Sequence, residues 1–208
     1  MELLNQISTF MQQGRAPKVQ ELVTQALEQG IAPRQILQNG LLDGMDIIGE
    51  KFKNNQIFVP EVLIAARAMN SALEILRPRL AEAGVAEQGT IIIGTVKGDL
   101  HDIGKNLVKM MMEGKGLKVV DLGVNVSAGQ FTDAAVQHKA QVIACSALLT
   151  TTMGEMKSVV ELVQQKELPI KVMVGGAPVT QAFCDTIGAD CYTADAASAA
   201  DAALGFCM

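Results

Sequence analysis

The hydrophobic pattern of this chain changes character near residue 85. Before that point, apolar residues recur three and four positions apart, which is the period of an amphipathic α-helix. Breaks at Gly14, at Gly30 and around residues 53–56 divide the segment, and Pro33 and Pro60 suit the first turn of a helix. The pattern predicts four helices, over residues 2–13, 17–29, 33–53 and 60–83. We therefore expect a four-helix bundle in the first part of the chain.

From residue 90 onward, short apolar runs alternate with helical patterns. Strands are predicted near residues 90–96, 117–121, 141–146, 170–175 and 190–193. Helices are predicted over residues 102–115, 128–138, 153–166, 179–187 and 195–205, and capping boxes are expected at Ser127 with Gln130 and at Thr152 with Glu155. Alternation of this kind is typical of a doubly wound, flavodoxin-like or Rossmann-like parallel sheet. The prediction is an α/β protein with a helical domain at 1–85, a five-stranded domain at 90–208 and a linker at 84–89.

Composition and charge exclude several classes of function. The net charge is −5, whereas nucleic-acid binding requires a basic face. No apolar run approaches the roughly 18 residues of a membrane span, and the first residues lack the basic and apolar regions of a signal peptide. The four cysteines form no C-x-x-C pair, so reduced thiols are expected. We expect a cytoplasmic protein that binds neither nucleic acid nor membrane.

The residues with chemical potential follow the ends of predicted strands. Asp99 and His101 come directly after the first strand, close enough for the carboxylate to hold one ring nitrogen while the other points outward. Ser146 and Thr152 follow the third strand, and Gly175 follows the fourth. Because ligands of open α/β sheets bind at the carboxyl ends of strands, we expect one site there. Small residues at these strand ends suggest a deep slot for a long, bulky ligand.

Simpler interpretations of these residues remain open at this point. His101 on its own is compatible with a solvated loop, and Asp99 or Thr152 with a helix cap. The apolar stripe of the fourth helix, which includes Val62 and Met69, fits the bundle core, while its start near Phe58 also suits a cover over a ligand. A flavodoxin-like domain that binds a nucleotide or a metal at Asp99 and Asp102 is a further alternative.

Three short motifs carry a resemblance to a known family. Asp99, His101 and Gly104 form D-x-H-x-x-G, and after a gap of 41 residues Ser146 and Leu148 form S-x-L. A further 26 residues separate Leu148 from Gly175-Gly176. This pattern, together with the helical segment before it, resembles the corrinoid, cobalamin-binding proteins of multi-component methyltransferase systems and the cobalamin-binding module of methionine synthase.

The resemblance implies a cofactor and a set of residues that bind it. Cobalamin would be bound base-off, with His101 as the lower axial cobalt ligand and with Asp99 and Thr152 forming a relay behind it. Phe58, Val62 and Met69 would cover the corrin face. The residues implied in cofactor binding are Gly94, Gly98, Asp102, Ile103, Gly104, Val124, Ser146, Leu148, Thr150, Gly175, Gly176, Tyr192, Asp195 and Ala196.

The same resemblance implies a role in one-carbon metabolism. The bound cobalamin would accept a methyl group from a substrate-specific methyltransferase and donate it to a second methyltransferase that uses tetrahydrofolate or a thiol. A reductive activation protein is a further expected partner. The alternative within this family is a storage or sensor module that binds cobalamin without methyl transfer. The sequence does not specify the methyl donor.

Overall fold

The computed structural model describes residues 2–84 and 88–208, which form two compact units. The first unit comprises residues 2–84 with Glu113–Gly116, and the second comprises Gln88–Met112 and Leu117–Met208. The predicted boundary at 84–89 includes residues 85–87, which lie outside the described residues, so the proposed linker stays a prediction.

The described part of the first unit contains the four predicted helical rods. They are α1 (Glu2–Gln12), α2 (Ala16–Glu28), a third rod that starts as α3 (Pro33–Gln35) and ends as α4 (Asp43–Lys53), and α5 (Val59–Glu82). Pro33 and Pro60 occupy first-turn positions, as predicted. α2 packs against α5, and α1 packs against α2 and α4. The apolar stripe of α5, from Val62 to Leu80, is buried, which confirms its place in a core.

The third rod differs from the prediction of one regular α-helix over residues 33–53. Its stretch Ile36–Leu42 is π-helical, which is a rarer and wider winding. Ile36 and Leu41 are both fully buried although they lie five positions apart, a spacing that matches the π period and not the α period. The wider turn therefore keeps the apolar residues before and after it on the same inner face.

The second unit is the predicted five-stranded parallel sheet. Its strands are β1 (Thr90–Thr95), β2 (Lys118–Asp121), β3 (Val142–Ser146), β4 (Lys171–Gly175) and β5 (Cys191–Tyr192), in the order β2-β1-β3-β4-β5. The helices between and after them are α6 (Ile103–Gly114), α7 (Ala128–His138), α8 (Gly154–Gln165), α9 (Gln181–Ile187) and α10 (Ala196–Cys207). Ile91, Ile92 and Ile93 are all buried, so both faces of β1 are covered.

The strand order places a topological switch point between β1 and β3. Thr95 at the end of β1 pairs with Ser146 at the end of β3, and Ser146 pairs with Gly175 at the end of β4. The chain leaves β1 toward β2 on one side and reaches β3 on the other, and such a point is where open α/β sheets bind ligands. The loops that follow β1 and β3 therefore meet at one edge of the sheet.

Candidate cofactor site

The centre of the site is Asp99, a fully buried carboxylate in the loop after β1. Its Oδ1 atom accepts hydrogen bonds from the main-chain N–H of His101 at 3.1 Å and from the ring Nδ1 of His101 at 2.7 Å. Its Oδ2 atom accepts from the N–H groups of Leu148 at 2.8 Å and Leu149 at 3.2 Å, and from the hydroxyl of Thr152 at 2.9 Å. One side chain thus joins the loops that follow β1 and β3.

These five donors keep Asp99 ionised. Burial alone would raise the pKa of this carboxyl, but the hydrogen bonds from His101, from the Leu148 N–H and from Thr152 lower its pKa well below the usual range. A carboxylate only accepts hydrogen bonds, so the proton between Asp99 and His101 belongs to Nδ1 of the ring. In a neutral imidazole, the lone pair is then on Nε2. The His101 side chain is 51% exposed, so this ring can present a metal-binding nitrogen to a ligand.

Thr152 takes one of its two predicted roles. Its hydroxyl donates to Asp99 at 2.9 Å and lies 2.9 Å from the Leu149 carbonyl. The capping box predicted at Thr152 with Glu155 is wrong, because α8 begins only at Gly154 and has no side-chain cap. The charge-assisted hydrogen bond to Asp99 directs the Thr152 side chain toward the buried carboxylate instead of toward the start of α8. The other predicted box, at Ser127 with Gln130, is confirmed.

The three predicted glycines at strand ends differ in the space around them. Gly175 has open space where a Cβ would project. A Cβ at Gly94 would lie 2.8 Å from the ring of Phe131, so the space beside Gly94 is already filled by the core. Gly176 has a φ of +131°, and a Cβ there would collide with the carbonyl oxygen of Ala147. The structure therefore leaves open space beside Gly175, whereas the space that a Cβ would take at Gly94 and Gly176 is already occupied, and the cofactor contacts of all three glycines stay predictions.

An apolar rim surrounds the Asp99–His101 pair. Leu100 is 71% exposed and Ile103 is 81% exposed, and Leu148 and Leu149, whose N–H groups bind Asp99, are each more than two-fifths exposed. We call these four residues the apolar rim. Exposed apolar groups gathered at one place mark a binding surface.

The other predicted residues are distributed around this edge. Gly98 has a φ of +81°, while Asp102 and Gly104 are exposed at the start of α6. Asp102 accepts a hydrogen bond from the Asn106 side chain. Ser146 is half-buried, and no hydrogen bond to its hydroxyl occurs in the part of the chain that the structure describes.

The weaker candidates lie further along the chain. Val124 and Tyr192 are half-buried, Thr150 is exposed and Ala196 is buried. Asp195 caps α10, because its carboxylate accepts from the N–H of Ser198 at 2.8 Å. Within residues 2–84 and 88–208, these five residues make no hydrogen bond to Asp99 or His101, so their cofactor contacts stay predictions.

The three residues predicted to cover a corrin belong to the helical unit. Phe58 immediately precedes α5 and is 66% exposed, and its N–H donates to Glu61 at 3.1 Å. Val62 and Met69 are buried. Their predicted cover role remains a prediction.

Two residues that the sequence did not predict hold the His101 loop. Thr95, fully buried at the end of β1, donates its hydroxyl to the main-chain carbonyl of His101 at 2.7 Å. Asn125 accepts from the N–H of Gly98 at 2.8 Å and donates its own N–H to the Asp99 carbonyl at 3.0 Å. Asn125 has a φ of +57°, a conformation that asparagine tolerates better than most residues. This tolerance of asparagine was the only signal in the sequence for the role of Asn125, and no signal pointed to Thr95.

A buried ion pair fixes the start of α6 just after this loop. The Lys105 ammonium lies 2.6 Å from both carboxylate oxygens of Asp121, at the end of β2. Burial alone would raise the pKa of Asp121, but hydrogen bonds from Lys105 and the Gly123 N–H, with the charges of Lys105 and Lys109, lower it. The sequence did not predict this pair either.

The arrangement fits the cobalamin that the resemblance implies. A half-exposed imidazole with its proton fixed on Nδ1 provides one nitrogen for a metal, and the rim offers apolar contact to a macrocycle. Open space beside Gly175 adjoins the half-buried Ser146. Among residues 2–84 and 88–208, no group of three or more His, Cys, Asp or Glu side chains is placed to hold a metal ion. No helix in the same ranges is long and apolar enough to cross a membrane.

Comparisons with known proteins agree with this assignment. Models described as B12 binding domains match residues 89–204 and residues 3–77. A corrinoid protein of Desulfitobacterium hafniense is 38% identical, over 98% of this chain and 96% of its own length. A trimethylamine corrinoid protein of Methanosarcina mazei is 42% identical, over 83% of this chain and 82% of its own length. A crystal structure of the methanol:cobalamin methyltransferase complex MtaBC from Methanosarcina barkeri superposes with a TM-score of 0.87 at 30% identity, covering 98% of this chain and 80% of that one. The chain therefore belongs to the B12-binding corrinoid protein family.

Proposed function

We propose that this chain carries methyl groups between two methyltransferases on a bound cobalamin, for which His101 supplies the lower axial ligand in the base-off state. When bound, cobalamin supplies the metal centre that takes up and releases a methyl group. The observation that carries the proposal is the 2.7 Å contact between Asp99 Oδ1 and His101 Nδ1, which leaves Nε2 as the lone-pair nitrogen of a half-exposed ring.

The chain's own residues would adjust how strongly His101 donates. A carboxylate that accepts from Nδ1 orients the ring for metal binding through Nε2, and it stabilises the ring when Nε2 gains a proton. Thr152 and the two loop N–H groups hold that carboxylate in place. The Asp99–His101 pair can thus hold or release a proton at Nε2 as the demand for an axial ligand changes.

The proposed partners follow from the relatives and from the chemistry. A trimethylamine corrinoid protein and a dimethylamine corrinoid protein are 42% and 39% identical to this chain. We therefore favour a methylated amine as the methyl donor, bound by a separate substrate-specific methyltransferase. The acceptor enzyme would use tetrahydrofolate or a thiol, and a reductive activation protein would restore the cofactor after oxidation.

The first test is an absorption spectrum of the protein after incubation with hydroxocobalamin and desalting. We expect bound cobalamin with a histidine-ligated spectrum, and loss of that spectrum in His101→Ala. The chain has two histidines, so His138→Ala is a matched control that should behave like the wild type. Failure to retain cobalamin, or an unchanged spectrum in His101→Ala, would refute the proposed ligand.

A second test separates a carrier from a storage or sensor module. A purified amine methyltransferase, its methylated substrate and the reduced, loaded protein are mixed, and the methylated cofactor is followed by its absorption. A carrier becomes methylated at a rate that rises with the amount of methyltransferase, and adding the acceptor enzyme together with its tetrahydrofolate or thiol substrate removes the methyl group again. A storage or sensor protein shows neither change.

A further inference from the structure

Residue 101 lies outside any helix or strand, so its main chain lacks the repeated pairing that fixes a backbone elsewhere. Two side chains hold it instead. Asp99 accepts from the His101 N–H at 3.1 Å, and Thr95 donates to the His101 carbonyl at 2.7 Å. Both peptide groups of the residue are therefore anchored. The contact between Nδ1 and Asp99 fixes the far side of the ring, but it does not by itself fix where the α-carbon lies.

Thr95 is itself held rigidly. It is fully buried, and its N–H donates to the Gly123 carbonyl at 2.9 Å while its own carbonyl accepts from the Val126 N–H at 2.9 Å. In the sheet it pairs with Ser146 of β3. Its hydroxyl therefore projects from a position that β1, β3 and the loop after β2 define together. The hydrogen bond from this hydroxyl therefore fixes the position of the His101 main chain relative to the sheet.

We propose that Thr95 is a positioning residue for the cobalt ligand, and that its hydroxyl sets the distance at which His101 presents Nε2 to the corrinoid. This inference depends on the proposed function, because it assigns Thr95 a role only if His101 is the ligand. Asp99 then fixes the proton and direction of the ring, while Thr95 fixes the main chain from which the ring projects. The two contacts act on different parts of the same residue.

The test compares Thr95→Val, which removes the hydroxyl at nearly constant volume, with Thr95→Ser, which keeps it. Loss of one hydrogen bond of this kind corresponds to roughly threefold to tenfold weaker ligation. In Thr95→Val we expect cobalamin to dissociate about threefold to tenfold faster, with a larger histidine-free fraction in the spectrum. Thr95→Ser should restore both values toward the wild type. If Thr95→Val does not fold, Thr95→Ala against Thr95→Ser makes the same comparison.

Two controls separate positioning from a loss of stability. Thr132 is also a fully buried threonine, whose hydroxyl contacts the Gly129 carbonyl at 3.1 Å and accepts from the Lys166 ammonium at 3.1 Å, so Thr132→Val shows the effect of removing a buried hydroxyl elsewhere. It should leave the spectrum unchanged. In a His101→Ala background, Thr95→Val should alter cobalamin dissociation less than twofold, because the residue through which it acts is gone.

The outcomes distinguish this inference from the function on which it depends. Wild-type dissociation in Thr95→Val, or an equal effect with and without His101, would overturn the role of Thr95 while leaving the ligand assignment intact. A wild-type protein that retains no cobalamin, or one whose spectrum His101→Ala does not change, would overturn the ligand assignment itself.

Discussion

Asp99→Asn tests whether the buried carboxylate sets the tautomer of His101. An amide has one oxygen that accepts and one nitrogen that donates. With the nitrogen at the Oδ2 position, the N–H groups of Leu148 and Leu149 would both lose their acceptor, whereas at the Oδ1 position only the His101 N–H would. The second orientation is therefore preferred. There the amide donates to Nδ1, the ring proton moves to Nε2, and the nitrogen that the proposed ligand role requires no longer carries a lone pair.

The size of the effect follows from the hydrogen bonds that an amide at residue 99 cannot make. One buried N–H without an acceptor costs about 1–3 kcal/mol. The bonds that Leu148, Leu149 and Thr152 make become neutral, and neutral bonds are roughly half as strong as charge-assisted ones. We expect Asp99→Asn to lower the free energy of unfolding by about 2–4 kcal/mol. Cobalamin retention should fall about 10- to 100-fold, as for other residues that orient a metal ligand.

The assay exploits the aromatic content of the chain. Tyr192 on β5 is the single tyrosine and there is no tryptophan, so tyrosine emission in a urea titration follows the unfolding of the sheet unit. Thr152→Val is the matched control: it removes a donor from Oδ2 but leaves the Oδ1 contacts intact. It should cost about 1 kcal/mol and keep a histidine-ligated spectrum. A histidine-ligated spectrum with wild-type retention in Asp99→Asn would refute the tautomer argument.

Acid titration of the cofactor-free proteins provides an independent check of the same substitution. The pKa of Asp99 in the folded state lies below the ordinary value of 3.8, so its charge stabilises the fold above that pH, and the stabilisation is lost as the pH falls below it. Asp99→Asn lacks this titrating group. The difference in unfolding free energy between the two proteins should therefore shrink as the pH falls from about 6 to about 3. A constant difference would contradict the lowered pKa.

Two further pairs of substitutions test features near the site. Gly176→Ala should lower the free energy of unfolding by more than about 2 kcal/mol, because the added Cβ would collide with the Ala147 carbonyl at a residue with positive φ. Gly175→Ala, which has open space for a Cβ, should keep the stability of the wild type and weaken cobalamin retention. Equal urea midpoints for the two variants would contradict this. Asp121→Asn should cost about 3–5 kcal/mol and more than Lys105→Met. It leaves the 2%-exposed Lys105 ammonium with neutral acceptors such as the Asn106 side chain and no carboxylate, whereas Asp121 is 19% exposed and keeps Lys109 when Lys105 is replaced. The reverse order in tyrosine-monitored unfolding would refute this.

The fold was predictable because its signals are local and repeated. Helical periodicity before residue 85 and alternating runs after residue 90 each extend over many residues, and the structure confirms both units. The π-helical stretch was not predictable in the same way. It depends on how Ile36 and Leu41 both reach one core, which is a property of tertiary packing.

The candidate site was predictable only where a residue type implies its partner. A carboxylate two residues from a histidine has few arrangements, and the contact between Asp99 and His101 was expected and is present. Thr95 and Lys105 gave no such signal. Their partners, His101 and Asp121, lie on other segments of the chain, which only the folded sheet brings close to them. The prediction of a capping box at Thr152 was wrong for the same reason, because its side chain is directed to Asp99, 53 residues earlier in the sequence, and no side chain caps α8.

The junction at Asp99 also bears on how the chain acquires its cofactor. The donors to Oδ2 of Asp99 lie 49 to 53 residues further along the sequence, so these three hydrogen bonds form only after β3 has paired with β1. Contacts of such high sequence separation form late, because the entropy of closing a long loop must be overcome first. A nascent chain that has not yet made β3 holds His101 on an unsupported loop. Under the proposed function, tight corrinoid binding therefore requires that β3 has formed and paired with β1, and incompletely synthesised chains would not compete with complete ones for the cofactor.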